Sequence, residues 1–335
     1  MEFEFFIGID VSKNELDFAV RKGRQLLFHT EITNQPDAIK LFIRELKKQP
    51  GFELKKAIFC MEHTGIYNNH LLVYLHKQQA NICLEAATHI KQSLGNIRGK
   101  NDKIDAIRIA DYAYDKREKL RLWVPKRDIV QQLADLTAGR SRLITAKKLL
   151  KTPLGEQLAF NTKSRAKQSL HLCSHALKAI EADLDRTDKA IQAIINADVE
   201  LKRLFGLVTS VTGIGTITAT QIIITTNEFK DIRDPKKFAC YAGVAPFTEE
   251  SGKLIRKAKV SHMANKKMKA LLHMSAIVAL QHNTDLKLYY ERKVKQEKKN
   301  KMSVINAVRN KLVLRIFACV SQNRPYEKNY QRLVA

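Results

Sequence analysis

The sequence predicts an α/β domain followed by an all-α remainder, with a mixed sheet flanked by helices giving way to a helical coiled-coil linker and a mostly helical C-terminal domain. Three observations predict it. Up to about Trp123 the hydrophobic pattern switches repeatedly between the period of strands and the period of helices. From Pro125 to about residue 200 apolar residues recur at heptad spacing, with no convincing strand. Beyond Leu201, apolar helical stretches are joined by short loops that carry glycine. The implied domains are 1–124, 125–200 and 201–335, and 335 residues is too long for one ordinary core.

Taken in order, Phe3 to Asp10 reads as a buried strand, Glu15 to Arg21 alternates like an edge strand, and Gln25 to Thr33 supplies a third. Together they form an antiparallel meander. Asp37 to Lys48 reads as a helix, Ala57 to Glu62 as a strand, Tyr67 to Gln78 as a helix and Asn81 to Glu85 as a strand, which extends the meander into a mixed sheet. Asp102 to Asp115 is a last helix, entered through the basic turn Arg98-Gly99-Lys100.

In the linker, Leu170, Leu177, Leu184 and Ile191 share one heptad position, and Cys173, Ile180, Thr187 and Ile194 the other. Ile129, Leu133, Leu136, Leu143 and Leu150 form a matching stripe upstream. The two stripes read as a long helical hairpin or a dimerising coiled coil, which is a packing surface rather than a chemical one. In the last domain, Val211-Thr212-Gly213-Ile214-Gly215-Thr216 leads into the apolar helix Ile217 to Ile224. This is a helix-hairpin-helix-like element, in which the amides of Gly213 and Gly215 at a helix start can hold a DNA phosphate. A plain helix-turn-helix packing unit carries the same pattern.

Charge narrows the function. The chain holds 59 Lys and Arg against 34 Asp and Glu, a formal net charge of +25, and from Ser251 onward the count is 20 against 4. Compaction against such self-repulsion points to a polyanionic partner, nucleic acid first, although charge runs also serve simply as solvated surface. The five cysteines are scattered with no paired spacing, which argues against a disulfide frame or a zinc finger and for a reducing cytosol. No run of 18 apolar residues occurs and the N-terminus Met1-Glu2-Phe3-Glu4-Phe5 is acidic, so neither a membrane span nor a secretion signal is expected.

Four carboxylates carry the chemistry. Asp10 closes the first strand in Gly8-Ile9-Asp10-Val11-Ser12, and Glu62 closes another in Ile58-Phe59-Cys60-Met61-Glu62. Asp102 and Asp105 stand three apart at the start of a helix, on one face. Gathered together, such groups repel by roughly 4 kcal/mol per close pair, which a divalent cation must offset. Hard oxygen donors suit Mg²⁺ or Mn²⁺, and two such ions can activate an attacking oxygen and stabilise a leaving one in phosphodiester chemistry. The pattern therefore suggests a ribonuclease-H-like nuclease core. Taken singly, Asp102 and Asp105 are also ordinary first-turn helix acids, and Asp10 an ordinary turn residue. His63, beside Glu62, is a further candidate with a structural alternative.

With Gly-Ile-Asp-Val-Ser-Lys at 8–13, Glu-His-Thr-Gly at 62–65 and Lys-Asn-Asp-Lys-Ile-Asp-Ala at 100–106, the chain resembles the DEDD transposases of bacterial insertion sequences, relatives of the Piv-type invertases that include bridge-RNA-guided recombinases. The C-terminal segments Phe238-Ala239-Cys240-Tyr241-Ala242-Gly243-Val244-Ala245-Pro246, Glu250-Ser251-Gly252-Lys253 and Val260-Ser261-His262-Met263-Ala264-Asn265-Lys266-Lys267 match as well. The resemblance implies a RuvC-like N-terminal domain, a coiled-coil linker and a transposase domain with a serine nucleophile, which maps onto Ser251, with Ser261 as the runner-up. It further implies Asp10, Glu62, Asp102 and Asp105 as catalytic metal ligands for Mg²⁺ or Mn²⁺, donor and target DNA as substrates, and a noncoding bridge RNA. A homodimer or homotetramer in the bacterial cytoplasm, associated with the nucleoid, is the expected setting. Lys253, Arg256, Lys257, Lys259, Lys266 and Lys267 surround the serine in sequence and are the expected nucleic-acid contacts, with Gly213 and Gly215. The chain departs from the family at His262-Met263-Ala264-Asn265, where a Ser-Lys pair followed by a basic residue and glycine is more usual.

Other readings remain beside it. A metal-dependent junction-type endonuclease would use the same carboxylates with water and leave no protein–DNA adduct. An ATP-using protein of the actin and sugar-kinase kind also opens on Gly-Ile-Asp-Val-Ser, but needs further glycine-rich phosphate loops that the N-terminal half lacks. A noncatalytic nucleic-acid binder would tolerate alanine at Asp10 and Glu62.

Overall fold

The computed structural model describes residues 3–93, 101–251, 254–260 and 264–328. After Pro125 the chain divides into two compact units.

In the first unit, strands β1 (Phe5–Val11), β2 (Glu15–Lys22) and β3 (Gln25–Thr33) form the expected antiparallel meander. Helix α1 (Pro36–Leu46), β4 (Ala57–Glu62), α2 (Asn69–Lys77), β5 (Asn81–Glu85), α3 (Ala87–Ser93) and α4 (Asp102–Asp115) follow. The sheet order is β3-β2-β1-β4-β5, with β4 parallel to β1 and β5 parallel to β4. This is the mixed sheet that the strand and helix periods predict.

Alternation sorts the strands' residues onto two faces. Phe5, Ile7 and Ile9 of β1, with Phe18, Val20, Phe59 and Met61, pack with Ile39, Ile43, Leu71 and Leu75 of α1 and α2. Phe6, Ile58, Cys60 and Cys83 on the opposite face meet Ile109, Tyr112 and Ala113 of α4. Gly8 sits where α4 crosses β1. A Cβ there would overlap the Ala106 carbonyl and the Ala110 backbone, so only glycine lets the helix lie this close.

One expectation is corrected. The second strand, read as an edge, lies inside the sheet between β1 and β3. Its polar positions misled because they are satisfied internally: buried Asp17 bonds the His29 ring at 2.8 Å, and Arg21 pairs with Asp111. At the far end of this unit the Trp123 amide donates to the Ile82 carbonyl at 2.7 Å.

The second unit opens with α5 (Asp128–Phe160) and α6 (Lys163–Ala197), which pack as a helical hairpin. Arg140 pairs with Asp188 at 2.5 Å and Lys147 with Glu181 at 2.7 Å across it. Its base is buried through Val130, Leu133, Ile191 and Ile195. Towards the turn Leu149, Phe160 and Leu172 are exposed. Then come α7 (Val199–Thr209), α8 (Thr216–Thr226), α9 (Pro235–Tyr241), β6 (Pro246–Ser251), β7 (Leu254–Val260), α10 (Lys266–His282), α11 (Thr284–Glu291) and α12 (Lys301–Ser321). Val308, Leu312, Val313 and Ile316 of α12 are fully buried at the centre of this core. The antiparallel β6–β7 pair is a hairpin that the helical reading of this region does not anticipate.

Candidate active site

Asp10 and Glu62 stand one residue beyond the register pair Ile9–Met61, at the same ends of adjacent parallel strands. Both belong to the face that α4 covers, since they share the parity of Gly8 and Cys60. Asn101 caps α4, its side chain accepting from the Lys103 amide at 3.0 Å, and this fixes where the helix starts. Asp102 and Asp105 fall in the first turn, where the helix dipole favours anions. The approach allowed by Gly8 then brings that turn towards Asp10.

The electrostatics register the gathering. Burial, then the charges of Asp102, Asp105 and Glu62, push the Asp10 carboxyl from 3.8 up to about 6. Its three like-charged neighbours are therefore the three carboxylates the sequence singles out. Asp105 is also held by Arg108 at 2.7 Å. Among the described residues no three His, Cys, Asp or Glu side chains close into a ready-made metal cage. The two facts are compatible, because charges couple over several ångströms whereas magnesium ligands stand about 2.0–2.1 Å from the ion. The donor set, all carboxylate oxygen, fits a hard divalent ion in kind, and the four side chains are clustered rather than already chelating.

Two neighbours escape sequence reasoning. Glu85 is the register partner of Glu62 at the end of β5, and its carboxylate accepts from Tyr112 Oη at 3.1 Å and bonds the His89 ring at 2.8 Å. Burial and Glu85 push the Tyr112 phenol upward, which keeps it a donor. Strand-end parity is the signal that points to Glu85, since it closes its strand as Asp10 and Glu62 close theirs. Asp17, opposite Asp10 on β2, is tied to His29 by a pairing that no local motif announces. His63 turns to its own loop, its Nδ1 accepting from the Gly65 amide at 3.3 Å.

In the second unit Ser251 is the last residue of β6, opposite Leu254. Gly252, Lys253 and Ser261 lie outside the described residues, and Arg256, Lys257 and Lys259 are carried by β7. Lys266 and Lys267 begin α10, where Lys267 donates to Ser141 Oγ at 3.0 Å. Gly213 has φ +94°, and a Cβ on it would strike the backbone of Ser275 and Ala279, so close packing against α10 accounts for this glycine. Gly215, by contrast, is the exposed N-cap of α8, with open space where a side chain would be.

Residues 7–160 match a DEDD transposase domain of the IS110 type, and residues 206–291 match the domain described as transposase IS116/IS110/IS902 family. The pilin gene-inverting proteins of Moraxella lacunata and Moraxella bovis are 26% and 25% identical, each over 96% of this chain and 98% of their own length. An uncharacterised 43.6 kDa protein of insertion element IS110 from Streptomyces coelicolor is 27% identical over 42% of this chain and 34% of its own. A Thermus thermophilus RuvC structure aligns over 36% of this chain and 99% of its own, at 14% identity and a TM-score of 0.27. The two matched domains are those of a DNA transposase or recombinase. Together with these relatives, the two matched domains support a DEDD transposase or recombinase of the IS110 type. No helix among the described residues is long and apolar enough to cross a membrane.

Proposed function

We propose that the chain cuts and rejoins the DNA of an insertion sequence through two sets of groups, the carboxylates Asp10, Glu62, Asp102 and Asp105 and the hydroxyl of Ser251. The observation that carries the reading is that Asp102, Asp105 and Glu62 lie close enough to buried Asp10 for their charges to act on it, bringing acids of β1, β4 and α4 together. A carboxyl raised to about 6 first by burial and then by three like-charged neighbours favours a cation beside it, and Mg²⁺ or Mn²⁺, as two ions, is the fitting occupant. When bound, such ions lower the barrier by offsetting charge on the attacking and leaving oxygens. Asp10 and Glu62 supply rigid ligands because strands hold them, while Asp102 and Asp105 move only as α4 moves.

Ser251 Oγ attacks the scissile phosphorus, a new O–P ester forms, the bond to one strand oxygen breaks, and that oxygen takes up a proton. The bond energy is kept in the phosphoserine, so a strand hydroxyl reverses the step on a new partner. Arg256, Lys257 and Lys259 on β7 offset charge on the phosphate, and Lys253, Lys266, Lys267 and the amide of Gly215 contact nucleic acid nearby. The reading extends to a bridge RNA that selects donor and target DNA, and to a dimer or tetramer, since exchange between two duplexes requires four strand events.

Incubating the protein with element DNA, the associated RNA and Mg²⁺ and resolving the products on a denaturing gel tests the serine. A covalent adduct is expected from the wild type and none from Ser251→Ala. Cleavage without any adduct would instead make this a water-using endonuclease of the junction-resolving type.

A further inference from the structure

Beside the base of the β6–β7 hairpin lies a cavity of about 720 Å³, lined by Pro246 and Val260 of the hairpin and by the N-terminal half of α12. Arg309 of α12 is set into its wall and only 6% exposed. Among the described residues its partners are neutral. Its guanidinium donates to His273 Nδ1 at 2.5 Å and to Asn306 Oδ1 at 3.4 Å, and its Nε has no partner. Because arginine only donates, His273 must be the neutral tautomer with the proton on Nε2. Burial and Arg309 both lower the His273 pKa, in keeping with that.

A buried guanidinium without a counter-charge is costly unless something else supplies one. Here the same cavity is lined by two more cations, Lys269 and Lys311, with Ser303 and Asn310 as further hydrogen-bonding groups and, among the described residues, no carboxylate. Lys311 is also steadied above the Tyr289 ring, 4.7 Å from its centroid. The first turns of α12 add the positive end of a 21-residue helix.

We propose that this cavity is a phosphodiester site, in which Arg309, Lys269 and Lys311 grip a backbone phosphate of a nucleic-acid strand that does not itself react. The hairpin base, Pro246 opposite Val260, is five residues from Ser251, no more than about 17 Å along an extended strand. That spans roughly five phosphates of one strand in a B-form duplex. The position relative to the cut rests on reading Ser251 as the nucleophile, whereas the anion site itself does not. Clamping a phosphate at that remove fixes the strand's register as it enters the hairpin.

The test is a salt series of binding affinities for the full-length Ser251→Ala protein, using labelled duplex DNA and labelled single-stranded RNA, with Lys269→Ala, Lys311→Ala or Arg309→Gln added. Each lysine change should leave thermal unfolding in place. It should also weaken duplex binding about tenfold near 0.1 M salt and flatten the plot of log affinity against log salt by about 0.9. The same loss confined to the RNA, with a slope change of about 0.7, would name RNA as the source of the phosphate. Lysine variants that leave both slopes unchanged overturn the proposal, whether or not Arg309→Gln folds. Failure of the serine reading is separately visible, as an adduct that Ser251→Ala still forms while the salt slopes behave as described.

Discussion

Asp10 and Asp198 are the same residue type under opposite treatment. Asp10 is raised to about 6 by burial and by the three other acids it faces, whereas Asp198 is held at about 2 because Arg127 grips it by two hydrogen bonds of 2.8 Å. Arg127 also reaches Glu228, whose side chain is fully buried. Burial alone would raise the Glu228 carboxyl, yet Arg127 and Lys230 outweigh it and hold it below the usual range. Around Glu228 three successive residues, Asn227, Glu228 and Phe229, take positive φ angles of 49°, 57° and 61°, a strained turn that this clamp secures. Asp198 and Glu228 of the second unit are neutralised by Arg127, whereas Asp10 at the end of the first unit's sheet meets three like charges. Like charges held close together are a cost to folding, and such groupings are characteristic of functional sites.

The sharpest way to break the comparison is Asp10→Asn. Strand cleavage should fall by about a thousandfold or more, because a metal ligand is lost, while thermal stability stays level or rises as repulsion is relieved. A stability loss as large as the activity loss, seen by calorimetry, would mean that Asp10 is a structural acid. Arg127→Ala should do the reverse to stability and lower it by about 3 kcal/mol, since Glu228 is left buried with its main partner removed. Denaturant melts of the two variants side by side give the contrast directly.

Gly8→Ala sharpens it further. Pushing α4 off β1 should cost about 2 kcal/mol and also weaken cleavage, because Asp102 and Asp105 ride on that helix. The Ala variant with wild-type cleavage would show that helix approach does not set the site. The smallest effect is in acid. A carboxyl depressed from 3.8 to about 2 contributes stability that is whole above about pH 4 and disappears as the pH falls towards 2. In Arg127→Ala this part of the acid dependence should vanish, which urea melts at pH 4, 3 and 2 can check.

Much of the first unit is legible in the residues. Gly8-Ile9-Asp10 and Cys60-Met61-Glu62 announce strands that end on carboxylates, because a strand buried on both faces reads as an apolar run and the acid marks where it meets water. The second strand was harder, since burial of Asp17 depends on His29, twelve residues away. Glu85 shows the same limit, as its neighbours Glu62 and Tyr112 come from other elements. The β6–β7 hairpin is short and polar, and its alternation is too brief to separate from loop.

Composition and local period by themselves determined a strongly basic chain with a mixed sheet, a helical linker and four chemically apt acids, because these follow from counts and from spacing along the backbone. Only the tertiary structure decided that those acids share one electrostatic neighbourhood, that Gly213 serves packing, and that the partners of buried Arg309 among the described residues are neutral. Such facts depend on which elements lie side by side, and through-space charge and steric contact have no local signature in the chain.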